Sequence, residues 1–322
     1  MRLNPYYCGI FVILILVGIL SARNIKNEEK EFPILEGPYL GQKPPGMMPE
    51  IFAPGVVSTE NHEHSSLIMS TDGKEIFWSV ISTPLSNQSS HKIVFMKYEN
   101  NHWYPPKTVS FSGKYKDNCP FMSPDGKIIY FCSNRPFPGK RKSKDYELWF
   151  AKRTNSGWSD PRLLGNPFTE EIKTWQPSIT DNGTIYFLGY LEGVQKEYGI
   201  YRSRFINGQY SKPELLNKSI NTEYPDWCPY IAPDENYLIF SSKRPGGYGG
   251  FDLYISYQRN DGSWIEPQNL GSKINHKYHE RFPGVSPDRK YLFFTRPNDE
   301  NNGDIYWVDS KFIEELKPED LK

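Results

Sequence analysis

The sequence predicts an all-β protein: a single β-propeller of five four-stranded blades, closed by an N-terminal strand. Three observations predict it. A phrase close to Ser-Pro-Asp-Gly recurs five times at a near-constant interval. Aromatic residues make up 15% of the 322-residue chain, with 25 Gly and 27 Pro scattered among them, which is the composition of many short strands and turns. The outermost strand of the last repeat is missing at its C-terminal side, and a spare one precedes the first repeat.

The repeated turn comes first. The Asp residues that anchor it, Asp72, Asp125, Asp181, Asp234 and Asp288, are separated by 53, 56, 53 and 54 residues. Pro presets φ, Asp bonds its own backbone, and Gly or Asn takes a left-handed conformation. An alternating run follows each turn, as in residues 291–295 (YLFFT), and reads as a strand packed on both faces. Phe131, Phe187, Phe240 and Phe294 recur at matching sites in it, with Phe77 as their equivalent in the first repeat and Trp78 beside it, and are expected between blades.

A third strand follows a polar loop at residues 93–95, 148–150, 200–201, 253–255 and 305–307. Then comes an aromatic residue with Pro three positions on: Trp103/Pro106, Trp158/Pro161, Tyr210/Pro213 and Trp264/Pro267. Pro belongs at a strand start or a sheet edge, so this strand is outermost. Four strands in a repeat of this length make a propeller blade. No fourth strand follows the fifth repeat, and residues 49–58 (PEIFAPGVVS) supply it, sealing the ring. Six blades is the alternative, if residues 32–48 add strands.

The ends read differently. Residues 9–20 (GIFVILILVGIL) form an apolar run behind Arg2, so residues 1–22 are a signal peptide or a membrane anchor. Residues 23–48 read as a linker, 49–309 as the propeller, and 310–322 as a tail with a short amphipathic helix. Contact with a membrane is expected only through the N-terminal segment. Cys119, Cys132 and Cys228 remain beyond that segment; an odd number in a domain this large predicts small buried residues, not a disulfide framework. The formal net charge is +0 with no basic stretch, which argues against nucleic acid as the partner.

The phrase SPDGKxLxF, together with residues 244–254 (RPGGYGGFDLY) and 263–271 (SWIEPQNLG), resembles the TolB-like and WD-repeat-like "Pro-Asp" propeller repeats of exported bacterial proteins. The resemblance covers about residues 49–309. It implies protein-binding work in the cell envelope, and related propellers are also attached to peptidases and glycan-degrading enzymes.

Candidate site residues follow from the repeat. Eight positions before each turn Asp, where an innermost strand begins, stand His64, Asp117, Asp226 and Glu280, with Thr174 in the shorter third repeat. Such a ring at one mouth of the channel would bind a cation or polar ligand, or each carboxylate would accept N–H bonds inside its own blade. A cation is the one bound group suggested; no cofactor motif is present. The stretches around His62 and His64, and around His276, His279 and Glu280, become neighbours on ring closure and carry ligand types that zinc favours. Arg135, Arg244 and Arg296, each followed by Pro, are expected to pair with Glu147, Asp252 and Asp304 across hairpins. Residues 246–250 (GGYGG) read as a flexible hairpin loop. No Gly-x-Ser-x-Gly elbow occurs, and Gly follows the turn Asp directly, unlike a sialidase Asp-box. These features favour an exported, non-enzymatic propeller that binds a protein or glycan partner in the periplasm, outside the cell or on the outer membrane face. The alternative is a glycan-active hydrolase or lyase with carboxylates and histidines at the channel mouth.

Overall fold

The computed structural model describes residues 32–82, 89–137, 146–168, 172–191, 198–298 and 302–322. The apolar run at 9–20, and with it the signal or anchor reading, lies outside the described residues.

Five antiparallel sheets form five blades. Innermost strands are His62–Glu63 with Ile68–Met69, then Asp117–Met122, Lys173–Ile179, Asp226–Ile231 and Arg281–Val285. Second strands are Glu75–Ile81, Ile128–Ser133, Ile185–Tyr190, Tyr237–Ser242 and Tyr291–Pro297. Third strands are His91–Glu99, Glu147–Thr154, Tyr198–Ser203, Asp252–Tyr257 and Gly303–Asp309. The outermost strands Lys107–Thr108, Arg162–Leu163, Glu214–Leu215 and Gln268–Asn269 each begin directly after the Pro that marks them.

The ring closes as the strand count requires. Glu50 pairs with Trp307 and Ile51 with Tyr306, so the N-terminal strand Glu50–Ile51 is the outermost strand of the fifth blade. The Phe52 amide continues the ladder with a 2.7 Å bond to the Ile305 carbonyl. Residues 32–48 carry a 3-10 turn, Pro38–Gly41, and no strand, so the described residues form five blades and not six. That segment straps the last blade to the first: Tyr39 Oη donates to Asp288 in one, while Trp103 Nε1 donates to the Gly37 carbonyl from the other.

Apolar clusters fill the seams between blades. Phe131, Phe187, Phe240 and Phe294 are each 0% exposed, as expected; in the first blade the register puts Trp78 (1% exposed), not Phe77 (0%), at that site, and both are buried. A Phe ring packed this way removes its apolar surface from water, the main favourable term in folding. In the tail, the helical turn Phe312–Glu315 lays Phe312 and Ile313 on the cluster shared by the last two blades.

The Ser-x-Asp-Gly turn works as its chemistry suggests. Ser70, Ser123 and Ser286 donate to Asp72, Asp125 and Asp288 at 2.6–2.7 Å. In the third blade Thr180 donates to Asn182 at 2.7 Å, so Asn182, not Asp181, is the equivalent of the turn acid. The next residue sits at positive φ: Gly73, Gly126 and Gly183, but Glu235 (φ 60) and Arg289 (φ 58) in the last two blades. There a side chain is retained because it reaches the preceding blade. Glu235 accepts from Tyr186 Oη at 2.8 Å, and Arg289 donates to Asp234 at 2.7 Å. The turns thus latch blade to blade on one face, called here the turn face. The opposite face, where innermost strands begin, is the entry face.

Candidate functional site

Strand register places the expected ring of site residues. Asp117 pairs with Ser133, Thr174 with Gly189 and Asp226 with Ser242. In the first blade the residue at that register is Glu63, opposite Val80. His64 follows it, because the first innermost strand carries one extra residue between its two halves. The register ring is therefore Glu63, Asp117, Thr174, Asp226 and Glu280, every one between 0% and 3% exposed.

Such burial takes the carboxylates away from the channel mouth, and each is engaged within its own blade. Arg135 donates to Asp117 at 2.7 Å, Arg244 to Asp226 at 3.0 Å and Arg296 to Glu280 at 2.7 Å. Remaining lone pairs accept from Ser112 on Asp117, from Ser242 and Thr222 on Asp226, and from the His276 amide on Glu280. A carboxylate already paired with Arg has no charge left over for a cation. Among the described residues no group of three or more His, Cys, Asp or Glu side chains is placed to hold a metal ion.

This corrects the expected Arg partners. The guanidiniums turn inward to the innermost strand, not outward to Glu147, Asp252 and Asp304. Those acids have other contacts. Lys173 Nζ lies 3.8 Å from Glu147, and Asn298 Nδ2 lies 3.5 Å from Asp304. Asp252 accepts from the amides of Tyr248 (2.7 Å) and Gly249 (3.2 Å) and from Asn269. It thereby ties down the glycine loop expected to be flexible. A Cβ on Gly249 would stand 2.2 Å from the His276 carbonyl oxygen, and one on Gly250 would stand 2.1 Å from the His279 ring. These glycines are required by close approach to the neighbouring loop.

Glu63 has no Arg: Ser82 stands where blades two and four carry Arg135 and Arg244, and Val80 where blade five carries Arg296. It accepts from the Thr59 amide and hydroxyl, and its second oxygen is buried without a partner. Burial, reinforced by nearby Asp304, pushes its carboxyl up to about 8. Glu280 is pushed up to about 7 by burial, against the pull of Arg296. Two raised carboxyls resemble an acid–base pair, but both are 0% exposed, out of a substrate's reach.

The next residues along the innermost strands are His64, Asn118, Trp175, Trp227 and Arg281, and all but Asn118 are partly exposed. Beyond them lies a bulge whose residue takes positive φ: Cys119, Gln176, Cys228 and Phe282. Bulge amides bond the preceding blade, from Cys119 to Ser79 Oγ and from Gln176 to Cys132 Sγ, both at 3.3 Å. Cys132 therefore occupies a seam position filled by Ser in the first blade, and all three cysteines are free. Contact with Cys132, then burial, pushes the Cys119 thiol well above its ordinary value. That keeps it out of the nucleophilic thiolate form.

Tautomers can be followed from blade five into blade one. The Gly303 amide donates to His62 Nδ1 at 2.7 Å, so the proton of neutral His62 is on Nε2. His62 Nε2 lies 3.1 Å from His64 Nδ1, which therefore accepts. Burial, with His62 and Arg281 beside it, holds His64 well below the usual histidine range. Neutral His64 then carries its proton on Nε2. The His64 ring lies 4.8 Å from that of Phe282, and Arg281 Cζ lies 5.7 Å from the same ring. Arg281 Nε is buried without a hydrogen-bond partner. On the same face the Phe251 amide donates to His279 Nδ1 at 3.1 Å, leaving Nε2–H as its free donor position. Lys243 Nζ stands 4.7 Å over the Phe251 ring, which packs 4.7 Å from Trp227. The histidine stretches expected to chelate zinc are thus spent on backbone amides and on each other. Nothing in the repeat phrase signals the residue after the buried ring, which is why Trp175 and Trp227 escape a sequence reading and Arg281 enters it only as a charge that could neutralise the ring.

Exposed rings extend this face. Tyr198 is 54%, Tyr224 39% and Tyr248 51% exposed, all in the entry-face loops and strand ends of blades three and four. Tyr198 stacks on Tyr190 at 4.5 Å.

No family model and no curated protein matches the chain. Among solved structures it is similar to TolB from Acinetobacter baumannii, with 16% identity and a TM-score of 0.46 over 78% of this chain and 55% of that one. It is similar to a gluconolactonase from Xanthomonas campestris, with 10% identity and a TM-score of 0.46 over 86% and 97% of the two chains. An alpha-L-arabinofuranosidase from Lactobacillus brevis gives 13% identity and a TM-score of 0.46 over 76% and 90%. The chain spans about half the length of TolB. The five-bladed propeller expected from the turn phrase is the fold observed.

Proposed function

We propose that the chain is an exported propeller that binds a protein or glycan partner through its entry face, without chemistry on it. One observation carries this reading. The entry face presents Arg281, which has no hydrogen bond or salt bridge among the described residues, the partly exposed rings of Trp175 and Trp227 and three exposed Tyr rings, while Asp117, Asp226 and Glu280 are buried and held by Arg within their blades. Aromatic and Arg side chains are the residues that most often anchor a bound partner. Export is supported by the apolar run at 9–20 behind Arg2.

The test is a binding screen of the full-length chain, purified in mild detergent, against envelope polysaccharides and envelope proteins. Soluble products are assayed in the same wells. Saturable binding without product release is the expected result. Release of reducing sugar ends or unsaturated sugars would establish the hydrolase or lyase alternative instead.

A further inference from the structure

We propose that the entry-face mouth of the channel binds the carboxylate of an acidic sugar, with Arg281 as its charged donor and His64 Nε2–H as its neutral donor. The inference rests on the binding reading above and names the ligand class.

The first support is a donor surplus. Arg281 makes no hydrogen bond or salt bridge among the described residues, and its Nε is buried. Leaving a charged donor buried and unpaired is costly, and natural structures seldom tolerate it without water or a ligand completing it. Nearby carboxylates do not serve. Glu280, its neighbour in sequence, is held by Arg296, and Asp226 is held by Arg244.

The second support is the tautomer relay. Gly303 and His62 fix His64 as a donor at Nε2, and no partner for that donor is present among the described residues. Arg281 and His64 both stand against the Phe282 ring, at 5.7 and 4.8 Å, and the Arg281 charge acts on the His64 imidazole. His279 and Lys243, flanking Phe251, add donor or cationic character, not an acceptor. Such a mouth recognises an anionic oxygen ligand. One guanidinium beside a neutral imidazole matches a singly charged carboxylate better than a phosphate dianion, which would bring excess charge into a partly buried site.

The third support separates a sugar from a protein partner. Three exposed side chains of the entry-face loops and strand ends are tyrosines: Tyr198, Tyr224 and Tyr248. Flat rings with a polar edge suit the C–H face and hydroxyls of a sugar.

The experiment is calorimetric titration of the full-length chain with trigalacturonate, trimannuronate, the methyl ester of trigalacturonate, and a Glu-rich peptide. At least one uronate should bind, and added salt should weaken it. Arg281→Gln should weaken that binding about tenfold to a hundredfold. Arg281→Lys should retain part of it, and His64→Phe should show a smaller loss. Arg281→Gln should melt close to the parent chain, because the guanidinium has no hydrogen bond or salt bridge among the described residues to lose. If trigalacturonate is the ligand, its ester should bind as weakly as Arg281→Gln binds the acid. Binding of neither uronate overturns the proposal, as does an unchanged affinity in Arg281→Gln. A peptide bound more tightly than either uronate overturns the assignment to a sugar. A neutral glycan or a protein held by the entry face with Arg281→Gln unaffected sinks this inference alone. Product release from a uronate sinks the non-enzymatic reading as well.

Discussion

Arg296 Nε donates to Glu280 Oε1 at 2.7 Å, tying the second strand of the last blade to the start of its innermost strand. Arg135 with Asp117 and Arg244 with Asp226 repeat the bond in two other blades. The acid is buried at the inner edge of the sheet, and the same Arg also donates to a carbonyl of the loop arriving from the previous blade. Arg296 reaches Ile274 at 2.5 Å, Arg244 reaches Ile220 at 3.0 Å and Arg135 reaches Phe111 at 3.2 Å. One guanidinium therefore fixes a strand start and the connection that precedes it.

Removing one partner leaves the other charge buried and alone. Arg244→Ala is predicted to cost about 3–5 kcal/mol, read by urea unfolding. Replacing both partners, as Asp226→Leu with Arg244→Met, should cost much less. A loss below about 1 kcal/mol in the single variant would show that the pair does not hold the blade.

Glu63 gives a pH-dependent prediction. Its folded carboxyl is pushed up from 4.5 to about 8 by burial. The folded state therefore binds its proton more tightly than the unfolded chain does. This contribution to stability is fully present below 4.5 and is lost as pH rises through about 8. Glu63→Gln should melt close to the parent at about pH 4, and should gain about 1–3 kcal/mol at about pH 8.5 by removing a buried charge. Parallel melting curves at both pH values would contradict the assignment.

Phe240 is 0% exposed in the seam between the third and fourth blades. Phe240→Ala is predicted to cost about 3–5 kcal/mol by urea unfolding, from lost transfer energy and the cavity left behind. A cost under about 1 kcal/mol would mean the seam collapses around the gap.

The architecture was legible because the turn chemistry and the Pro before each outermost strand are local signals, repeated five times. Closure was legible from a strand count alone. The pairing of Arg with the innermost acid was not. Asp117 and Glu147 both lie near Ser133 in the sheet, one on either side, and sequence does not say which way a guanidinium turns. His64 was placed one residue off, because the extra residue in the first bulge lies inside a strand where no turn residue marks it. The glycine loop looked flexible because close approach to His276 and His279 comes from the adjoining loop, and no local pattern records it.

Closure itself can be tested on the N-terminal strand. Phe52 and Val57 are each 0% exposed, and Glu50 and Ile51 complete the last sheet. Deleting residues 38–58 should expose the edge of Gly303–Asp309, lower solubility and lower Tm, because an unpaired strand edge invites association. A truncated chain with an unchanged Tm would rule the closure out.

The most direct measurement compares Asp226→Asn with Arg281→Gln, melting and partner binding being followed on the same samples. Asp226 belongs to the buried structural ring and Arg281 to the open mouth one residue further along its own strand register. The predicted result is a double dissociation. Asp226→Asn should lower Tm by roughly 4–10 °C and leave binding intact below the melt, while Arg281→Gln should leave Tm unchanged and lose binding. Loss of binding in Asp226→Asn at full folding, with Arg281→Gln binding normally, would contradict the division between structural ring and binding mouth.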